Sequence, residues 1–271
     1  MFCCWIGGTD RPLPGPSRRL GGDVRLFGPP GWPAVLSDPA SGVVLRPYRR
    51  SDAAAWSASR RANEEWLARW EPTPPRGTWA ELNSPAAFRT VHRELRRVAR
   101  AGAAMPFAVC VAPSLRPGAG VSGSRSSWGS PPPRPVSSGS PPRERLVGQV
   151  TIGNIVRRAF CSGYAGYWID SRYAGRGIIP VALALAVDHA FMHGSLHRIE
   201  VNIRPENVAS RRVVEKLGFR EEAHHARYLH IDGAWRDHIG YALTTEDVAA
   251  DGGLLARWHR LRGIGSVTPA G

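Results

Sequence analysis

A short stretch between two hydrophobic segments has the composition of a phosphate-binding loop. It reads Arg172-Tyr173-Ala174-Gly175-Arg176-Gly177-Ile178. Its small residues let backbone N–H groups approach a ligand closely, and the first turn of a following helix adds partial positive charge. These features favour pyrophosphate binding by the residues Arg172, Ala174, Gly175, Arg176, Gly177 and Ile178. The stretch has neither the spacing of a dinucleotide-binding GxGxxG loop nor that of a Walker A loop, so a plain glycine-rich turn is the alternative.

A second group of candidate residues lies at the start of a predicted helix. Asn207 is typical of an N-cap, and Gly218 stands just past the end of the amphipathic stretch that follows, as C-terminal glycines do. Ser210 falls in the first turn, where a capping box would have Glu or Gln to bond back to the cap. Serine is too short for that contact, so its hydroxyl is free to face a ligand. The alternative is that Ser210 only satisfies backbone groups.

The elements that carry these residues predict an α/β fold. Hydrophobic alternation and β-branched content predict strands at 43–47, 106–112, 146–156, 164–170, 197–203, 228–231 and 234–243. Helical spacing and capping residues predict helices at 51–70, 84–101, 177–193 and 207–217. Asp232-Gly233 favours a type I′ hairpin turn between the last two strands. This order predicts a mixed central sheet with helices on both faces.

Composition divides the chain into three parts and marks one insertion. Residues 1–42 hold seven Pro and eight Gly and predict a flexible N-terminal extension, in which the stretch near 32–36 could dock on the domain. Residues 43–248 form one domain. Within it, residues 113–143 contain eight Pro, five Gly and nine Ser and no acidic residue, which predicts a disordered insertion. Residues 249–271 are expected to form a C-terminal helix or tail.

Charge and cysteine content narrow the function classes. The net charge of +14 favours acidic partners such as phosphates, nucleic acid or a polyanionic cofactor. The longest apolar run, 178–187, is far shorter than the ~20 residues of a spanning helix, so we expect no membrane partner. The four cysteines lack metal or disulfide spacing, which predicts a reducing compartment and no metal site. The histidines of the last hairpin have no carboxylate or cysteine at ligand spacing either, so they are expected to be surface or core polar residues.

The two motifs together closely resemble those of the GCN5-related N-acetyltransferase (GNAT) family. Arg172-x-x-Gly175-x-Gly177 matches that family's pyrophosphate loop, and the segment from Asn202 to Phe219 follows at the expected spacing. The resemblance spans roughly residues 43–248 apart from the insertion. It implies the GNAT fold with splayed central strands, acetyl-CoA as donor substrate and no metal. The implied cofactor-binding residues are those of the loop together with Trp168, Ile169, Asp170, Asn202, Asn207 and Ser210, with Asn207 contacting pantetheine and the strand backbone polarising the thioester carbonyl.

Within the family the chain is most similar to the RimJ/RimL-type ribosomal-protein-alanine N-acetyltransferases. Glu71-Pro72-Thr73 follows a tryptophan-containing segment, and the hairpin motif 228–238 resembles that of the RimJ branch. Val214 stands where many acetyltransferases have a tyrosine that acts as the general acid for the departing thiolate. The RimJ/RimL branch instead uses a serine at the position of Ser210. The resemblance therefore implies that Ser210 is the general acid and the only proton donor near the sulfur on its face.

The general base is expected to be a carboxylate acting through water. Asp237 is preferred because its hairpin resembles the acceptor side of this branch, and Glu71 is the second candidate. Asp237 could instead form only a surface ion pair, and Glu71 could serve only as a cap or ion-pair partner.

The implied acceptor is a protein N-terminal α-amine, with a ribosomal protein or the ribosome as partner, in the cytoplasm. One alternative is a small-amine acceptor, such as an antibiotic or amino acid, or a longer acyl donor. Another is a non-catalytic CoA-binding or ribosome-binding protein on the same scaffold. The basic surface could add a weak RNA contact, and the protein could be a monomer or a dimer.

Overall fold

The computed structural model describes residues 29–74, 76–113, 115 and 144–264. The predicted insertion at 113–143 therefore lies outside the described residues, except for positions 113 and 115. Residues 1–28 of the predicted N-terminal extension and 265–271 of the C-terminal segment also lie outside them.

The described residues form a mixed α/β fold around one sheet, as predicted. Its eight strands are β1 (Leu36–Asp38), β2 (Val43–Pro47), β3 (Met105–Val111), β4 (Arg145–Val156), β5 (Ser162–Ile169), β6 (Arg198–Ile203), β7 (Arg220–Ile231) and β8 (Ala234–Thr244). The strand order is β1-β2-β3-β4-β5-β6-β8-β7. Neighbouring strands are antiparallel except for β5 and β6, which are parallel.

Helices cover both faces of the sheet. They are α1 (Ala53–Ala62), α2 (Glu64–Leu67), α3 (Trp79–Leu82), α4 (Pro85–Arg100), α5 (Ile178–Met192), α6 (Val208–Leu217), α7 (Thr245–Ala249) and α8 (Leu254–Leu261). One core cluster joins the sheet to α5, α6 and α8, and a second joins it to α1 and α4. Helix α5 is buried over most of its surface, as its all-round apolar sequence predicts. No helix in the described ranges is long and apolar enough to cross a bilayer.

The predicted helix at 51–70 is interrupted at Asn63. This residue ends α1 with φ −117° and ψ 26°. Its Nδ2 donates to the Ser59 carbonyl at 2.7 Å, and its Oδ1 accepts from the Ser171 N–H at 2.8 Å. The break therefore ties the α1–α2 corner to the loop that follows β5. Asparagine competes well for such local backbone contacts, which explains the interruption.

The sheet begins before the predicted domain start at residue 43. Strand β1, which falls within the predicted extension, pairs antiparallel with β2 from Leu36↔Leu45 to Asp38↔Val43. Just before it, the Trp32 ring packs edge-on against Phe107 with centroids 5.1 Å apart. The predicted docking of this stretch is thus seen in the described part of the extension.

The central strands are splayed. Strands β5 and β6 pair at only three positions, Ser162↔Arg198, Gly163↔Ile199 and Tyr164↔Glu200. Beyond these pairs the two strands diverge, and β5 continues to Ile169 against β4 alone. A parallel pair that separates exposes backbone groups inside the sheet, where a ligand can complete the hydrogen bonding.

Candidate active site at the splayed strands

A cavity of about 50 Å³ lies where β5 and β6 separate. A water needs only roughly 10–15 Å³ measured in this way, so the space admits a small polar group rather than a whole ligand. Strands β5, β6 and β8, the start of α6 and the turn before Glu71 contribute its lining residues. They are Trp70, Ala165, Gly166, Tyr167, Val201, Asn202, Ile203, Arg204, Asn207, Ser210 and His238.

The predicted pyrophosphate loop lies between β5 and the N-terminus of α5. Gly175 and Gly177 have φ values of 74° and 78°, a left-handed conformation that only glycine adopts without strain. Gly177 is the N-cap of α5, so the first-turn N–H groups of this 15-residue helix point outward without helical partners. A Cβ on Gly175 would have no heavy atom within 4 Å, so the surface there is open. The local geometry suits an anionic group.

One arginine of the loop already forms an ion pair with the buried carboxylate that precedes the loop. Asp170 is buried, and its carboxylate accepts from the Arg172 guanidinium at 2.6 and 2.9 Å and from Ser59 Oγ at 2.9 Å. Burial opposes ionisation, but these bonds keep the pKa of Asp170 below its ordinary value. Ala174 ends the short 3₁₀ turn at Ser171–Tyr173, and the Arg176 guanidinium lies 5.7 Å from the Tyr173 ring centroid. Asp170 and Arg172 thus shape the loop.

At the end of β5, backbone groups rather than side chains face the splay, the gap where β5 and β6 separate. The Asp170 N–H donates to the Val147 carbonyl of β4 at 2.8 Å, so strand alternation turns the backbone groups of Ile169 toward the open side. Trp66 Nε1 already donates to the Ile169 carbonyl at 3.1 Å. The Trp168 side chain packs in the core on the α1–α4 face and donates to Gln149 at 3.3 Å. By the same alternation the backbone groups of Trp168 face β4, where it pairs with Gln149, so neither its side chain nor its backbone is turned toward the open side of β5.

Ser210 lies at the cavity together with a second hydroxyl. Asn207 Oδ1 accepts from the Ser210 N–H at 3.1 Å, which confirms Asn207 as the cap of α6. The Ser210 hydroxyl is 2.7 Å from the Tyr167 hydroxyl, and burial raises the pKa of Tyr167. Val214, one turn further on, is fully buried. Ser210 is therefore not the only donor near this position, because Tyr167 shares its hydrogen bond.

Two buried polar atoms at the cavity lack partners. His238 is fully buried, and its Nε2 has no hydrogen-bond partner in the described part of the chain. Asn202 is 4% exposed, and its Oδ1 is likewise unpartnered among those residues. Its Nδ2 contacts the Tyr228 hydroxyl at 3.2 Å. Unpaired buried polar groups are costly, so both atoms mark a place where a ligand can bind.

Glu71 does not line the cavity, and its carboxylate is paired with an arginine. It is 6% exposed, and both its oxygens accept from the Arg60 guanidinium, at 2.7 and 2.5 Å. Arg60 also lies over the rings of three tryptophans, at 5.5 Å from Trp56, 4.9 Å from Trp79 and 5.2 Å from Trp168. Burial opposes ionisation of Glu71, but the Arg60 charge and hydrogen bonds hold its pKa below the ordinary value. Trp70, the residue before Glu71, does line the cavity.

Asp237 lies beside the cavity but faces away from it. Successive residues of a strand point to opposite faces, and the adjacent His238 lines the cavity. The Asp237 side chain is 47% exposed, and its Oδ1 accepts from the Arg227 N–H at 2.7 Å within the bulge of β7. The structure thus brings Ser210, Asn202 and Asn207 together at one cavity and leaves both predicted bases outside it.

Tyr167 and His238 are the residues that sequence reasoning missed at this site. Tyr167 lies two residues before Ile169, on the face of β5 that meets α6, so strand alternation could have found it. His238 offered no such signal, because the histidines of the hairpin look alike in the sequence. The described residues contain no group of three metal-ligating side chains.

Comparison with known proteins supports the family resemblance. A family model described as the acetyltransferase (GNAT) domain matches residues 43–220. A probable N-acetyltransferase of Bacillus subtilis, YjcK, is 39% identical over 104 residues, which cover 38% of this chain and 58% of that protein. The [ribosomal protein uS5]-alanine N-acetyltransferase of Escherichia coli is 37% identical over 107 residues, 40% of this chain and 55% of that protein. The chain thus spans somewhat more than half the length of the curated relatives it matches.

A solved structure extends the similarity over most of the chain. The structure of Mycobacterium smegmatis RimJ in complex with CoA-disulfide superposes with a TM-score of 0.70 and 36% sequence identity. The superposition covers 87% of this chain and 97% of that one. With a family model matching more than half of its length and this structural agreement, the chain belongs to the GNAT acetyltransferase family.

Proposed function

We propose that this protein transfers the acetyl group of acetyl-CoA to the N-terminal α-amine of a protein, with a ribosomal protein as the favoured acceptor. One observation carries the proposal. The paired hydroxyls of Ser210 and Tyr167 lie at the cavity where β5 and β6 separate, and the loop that follows β5 leads to a helix terminus at Gly177 whose geometry suits an anion. Relatives named for acetylation of ribosomal protein uS5 and a CoA complex of RimJ support the same donor and acceptor class. Ribosomal proteins are made in the cytoplasm, where the proposal places the enzyme.

The types of the residues present suit the successive parts of acetyl-CoA. The loop 172–177 and the α5 terminus would hold the pyrophosphate. Backbone groups at the end of β5 and the Asn207 region would flank the pantetheine arm. The thioester would then lie at the cavity, with its sulfur beside Ser210.

The reaction requires an attacking amine, stabilisation of the tetrahedral oxyanion and a proton for the departing thiolate. Backbone N–H groups of β5 facing the splay suit the oxyanion. Ser210 suits the proton donor, because its hydroxyl lies at the cavity and Tyr167 can return the proton. An α-amine has a pKa of about 7.7–8.0, against about 10.4 for a lysine side chain. Near neutral pH the α-amine is therefore the better nucleophile.

The decisive experiment incubates the purified protein with acetyl-CoA and a panel of acceptors, followed by mass spectrometry of the products. The panel holds ribosomal proteins, short N-terminal peptides, lysine-containing peptides with blocked N-termini, amino acids and aminoglycosides. We expect one acetyl group on the α-amine of a ribosomal protein or its N-terminal peptide. The variant Gly175→Glu serves as a control without donor binding.

Other outcomes point to the alternatives. Acetylation of a small amine alone would place the protein among small-molecule acetyltransferases. Binding of CoA or ribosomes without acetyl transfer to any acceptor would favour the non-catalytic alternative. A preference for a longer acyl-CoA over acetyl-CoA would correct the donor.

A further inference from the structure

The side chains of His238 and Asn202, each with one unpartnered atom, lie on the side of the cavity opposite Ser210. The neighbours of His238 and Asn202 along their strands, such as Ile239 and Val201, point into the core beneath α5 and α6. Strand alternation therefore places His238 and Asn202 on the other face of the sheet. Both line the cavity that Ser210 also lines. The cavity thus passes between the strands, with a hydroxyl donor on one side and two polar atoms on the other.

The hydrogen bonding of His238 fixes which ring nitrogen is free. Its Nδ1 lies 3.1 Å from the Arg236 carbonyl oxygen, which can only accept. Nδ1 therefore carries the proton, and Nε2 of the neutral ring presents a lone pair. Burial lowers the pKa of His238 below its ordinary value, so the neutral form prevails at pH 7.

The groups around His238 keep it neutral and oriented. Besides burial, the positive charge of Arg204, from the segment after β6, lowers the pKa of His238. The Tyr228 ring packs edge-on against His238, with centroids 5.3 Å apart, and stacks on His225. The Arg204 guanidinium lies 5.3 Å from the Trp70 ring centroid, and both residues line the cavity. No carboxylate of the described residues is hydrogen-bonded to Nε2, so its lone pair is available.

Asn202 presents a matching acceptor. Its Nδ2 donates to the Tyr228 hydroxyl, which fixes the amide so that Oδ1 points away from that contact. A Cβ on Gly240 would lie 3.2 Å from this oxygen, so the glycine leaves room for it. Two buried acceptors without donors are complementary to a group with at least two N–H bonds, which describes a neutral primary amine whose lone pair stays free for attack.

We propose that His238 Nε2 and Asn202 Oδ1 bind the amine of the acceptor, and that His238 is the general base of the reaction. The inference rests on the proposed function, since it names the residues that receive the nucleophile.

The proposed step balances in protons and bonds. The amine nitrogen attacks the thioester carbonyl carbon and forms the C–N bond, while His238 Nε2 takes one proton from that nitrogen. The C–S bond then breaks, and the thiolate takes a proton from the Ser210 side of the cavity. Solvent removes the proton from His238 and resupplies the hydroxyl pair. The base and the acid lie on opposite sides of the sheet. The base would therefore act on the amine nitrogen and the acid on the sulfur without competing for one position.

The test compares His238→Gln with His224→Gln. His224 lies on β7 close to the same hairpin, but its side chain is 60% exposed and lies outside the cavity. We expect His238→Gln to lower kcat/KM at pH 8 by about 10²–10⁴, the usual contribution of a general base. Acetyl-CoA affinity measured by calorimetry should not change. His224→Gln should behave as wild type in both measurements.

The pH profile separates a chemical role from a structural one. His238 of the wild type becomes protonated as the pH falls through its lowered pKa, and it then cannot accept a proton. The ratio of wild-type to His238→Gln kcat/KM should therefore fall about tenfold per pH unit below that pKa. A ratio that is constant with pH would indicate a structural effect and overturn the inference.

A second variant keeps the test decisive if glutamine disturbs the fold. His238→Ala leaves space for an imidazole molecule, and added imidazole should restore activity in a saturable way. Asn202→Ala should raise the KM for the acceptor about tenfold or more, because an amine loses one hydrogen bond to a buried acceptor. Unchanged kcat/KM in His238→Gln, or the absence of imidazole rescue in a folded His238→Ala, would contradict the assignment. A wild-type protein that binds acetyl-CoA but acetylates no amine would overturn the proposed function itself.

Discussion

The two sides of the splayed sheet are built on different principles. On the donor side, the loop 172–177 and the end of β5 offer mainly backbone N–H groups, and charged residues such as Arg172 are held by Asp170. On the acceptor side, Asn202 and His238 offer side-chain atoms that are buried and unpartnered among the described residues. A site made of backbone groups depends on local conformation. A site made of side chains depends on the packing of several strands and helices against one another. The first should fail when conformation changes, and the second when one functional group changes.

The largest effect should come from the donor side. Gly175→Glu forces a side chain into left-handed φ and places a carboxylate where the pyrophosphate is expected to bind. Acetyl-CoA binding should fall below detection in calorimetry, because both strain and charge repulsion oppose it. Gly252→Glu is the matched control, since Gly252 also has positive φ and a Cβ added there would meet no heavy atom within 4 Å.

Loss of binding in both glycine variants would attribute the effect to strain alone. Wild-type affinity in a folded Gly175→Glu would remove the loop from the binding site. The second result would undo the contrast between the two sides, because the donor side would then not depend on its backbone.

The next effect should come from the hydroxyl pair. Ser210→Ala should lower kcat by about 10²–10⁴ with little change in acetyl-CoA affinity, because a proton donor acts mainly as the thiolate leaves. Tyr167→Phe should lower kcat less, since Ser210 remains. The double variant should be no slower than Ser210→Ala, which would show that the two hydroxyls act as one unit. A Ser210→Ala enzyme with more than about half of wild-type kcat, with chemistry rate-limiting, would make water the acid.

The contrast between backbone and side-chain sites also explains which parts of this site can be predicted from the sequence. The loop and the Asn207 cap lie within single segments, so residue type and spacing indicate them before any fold is known. His238 becomes recognisable only when β6, β8 and the segment after β6 enclose it. The Glu71–Arg60 pair joins α1 to the turn after Trp70, across the break at Asn63. Side-chain partners brought together by long-range packing leave no local pattern.

Glu71 tests whether a buried carboxylate near the acceptor side supports structure or chemistry. Glu71→Gln leaves the Arg60 charge buried and unpaired, which should cost about 3–5 kcal/mol of unfolding free energy. Glu94→Gln is the control, because the Glu94–Arg97 pair lies on the exposed side of α4 and should contribute no more than about 1 kcal/mol. Chemical denaturation at pH 7 measures both.

The pH dependence has a defined sign. The pKa of Glu71 is lower in the folded protein than the roughly 4.3 of an unfolded chain, so the folded state binds fewer protons. The stabilisation is complete above that unfolded value and is lost as the pH falls toward the folded one. Glu71→Gln should lack this acid-side loss. A variant of wild-type stability whose kcat falls 100-fold would instead return Glu71 to the role of base.

The smallest effect should come from Asp237, the carboxylate that the hairpin motif favours as base. Its exposed side chain points away from the cavity-lining face of β8, and its hydrogen bond to the Arg227 N–H stabilises the bulge of β7. Asn at this position keeps the accepting oxygen and removes the charge. Asp237→Asn should therefore change kcat/KM by less than about threefold, far below the 10²–10⁴ of a general base. Measured beside His238→Gln on the same acceptor, it compares two adjacent residues on opposite faces of one strand. The opposite result would be a large loss of kcat/KM in Asp237→Asn, with a shift on the acid side of its pH profile, and no loss in His238→Gln. It would assign the general base to Asp237, on the other face of β8, and the acceptor would then have to approach from that face.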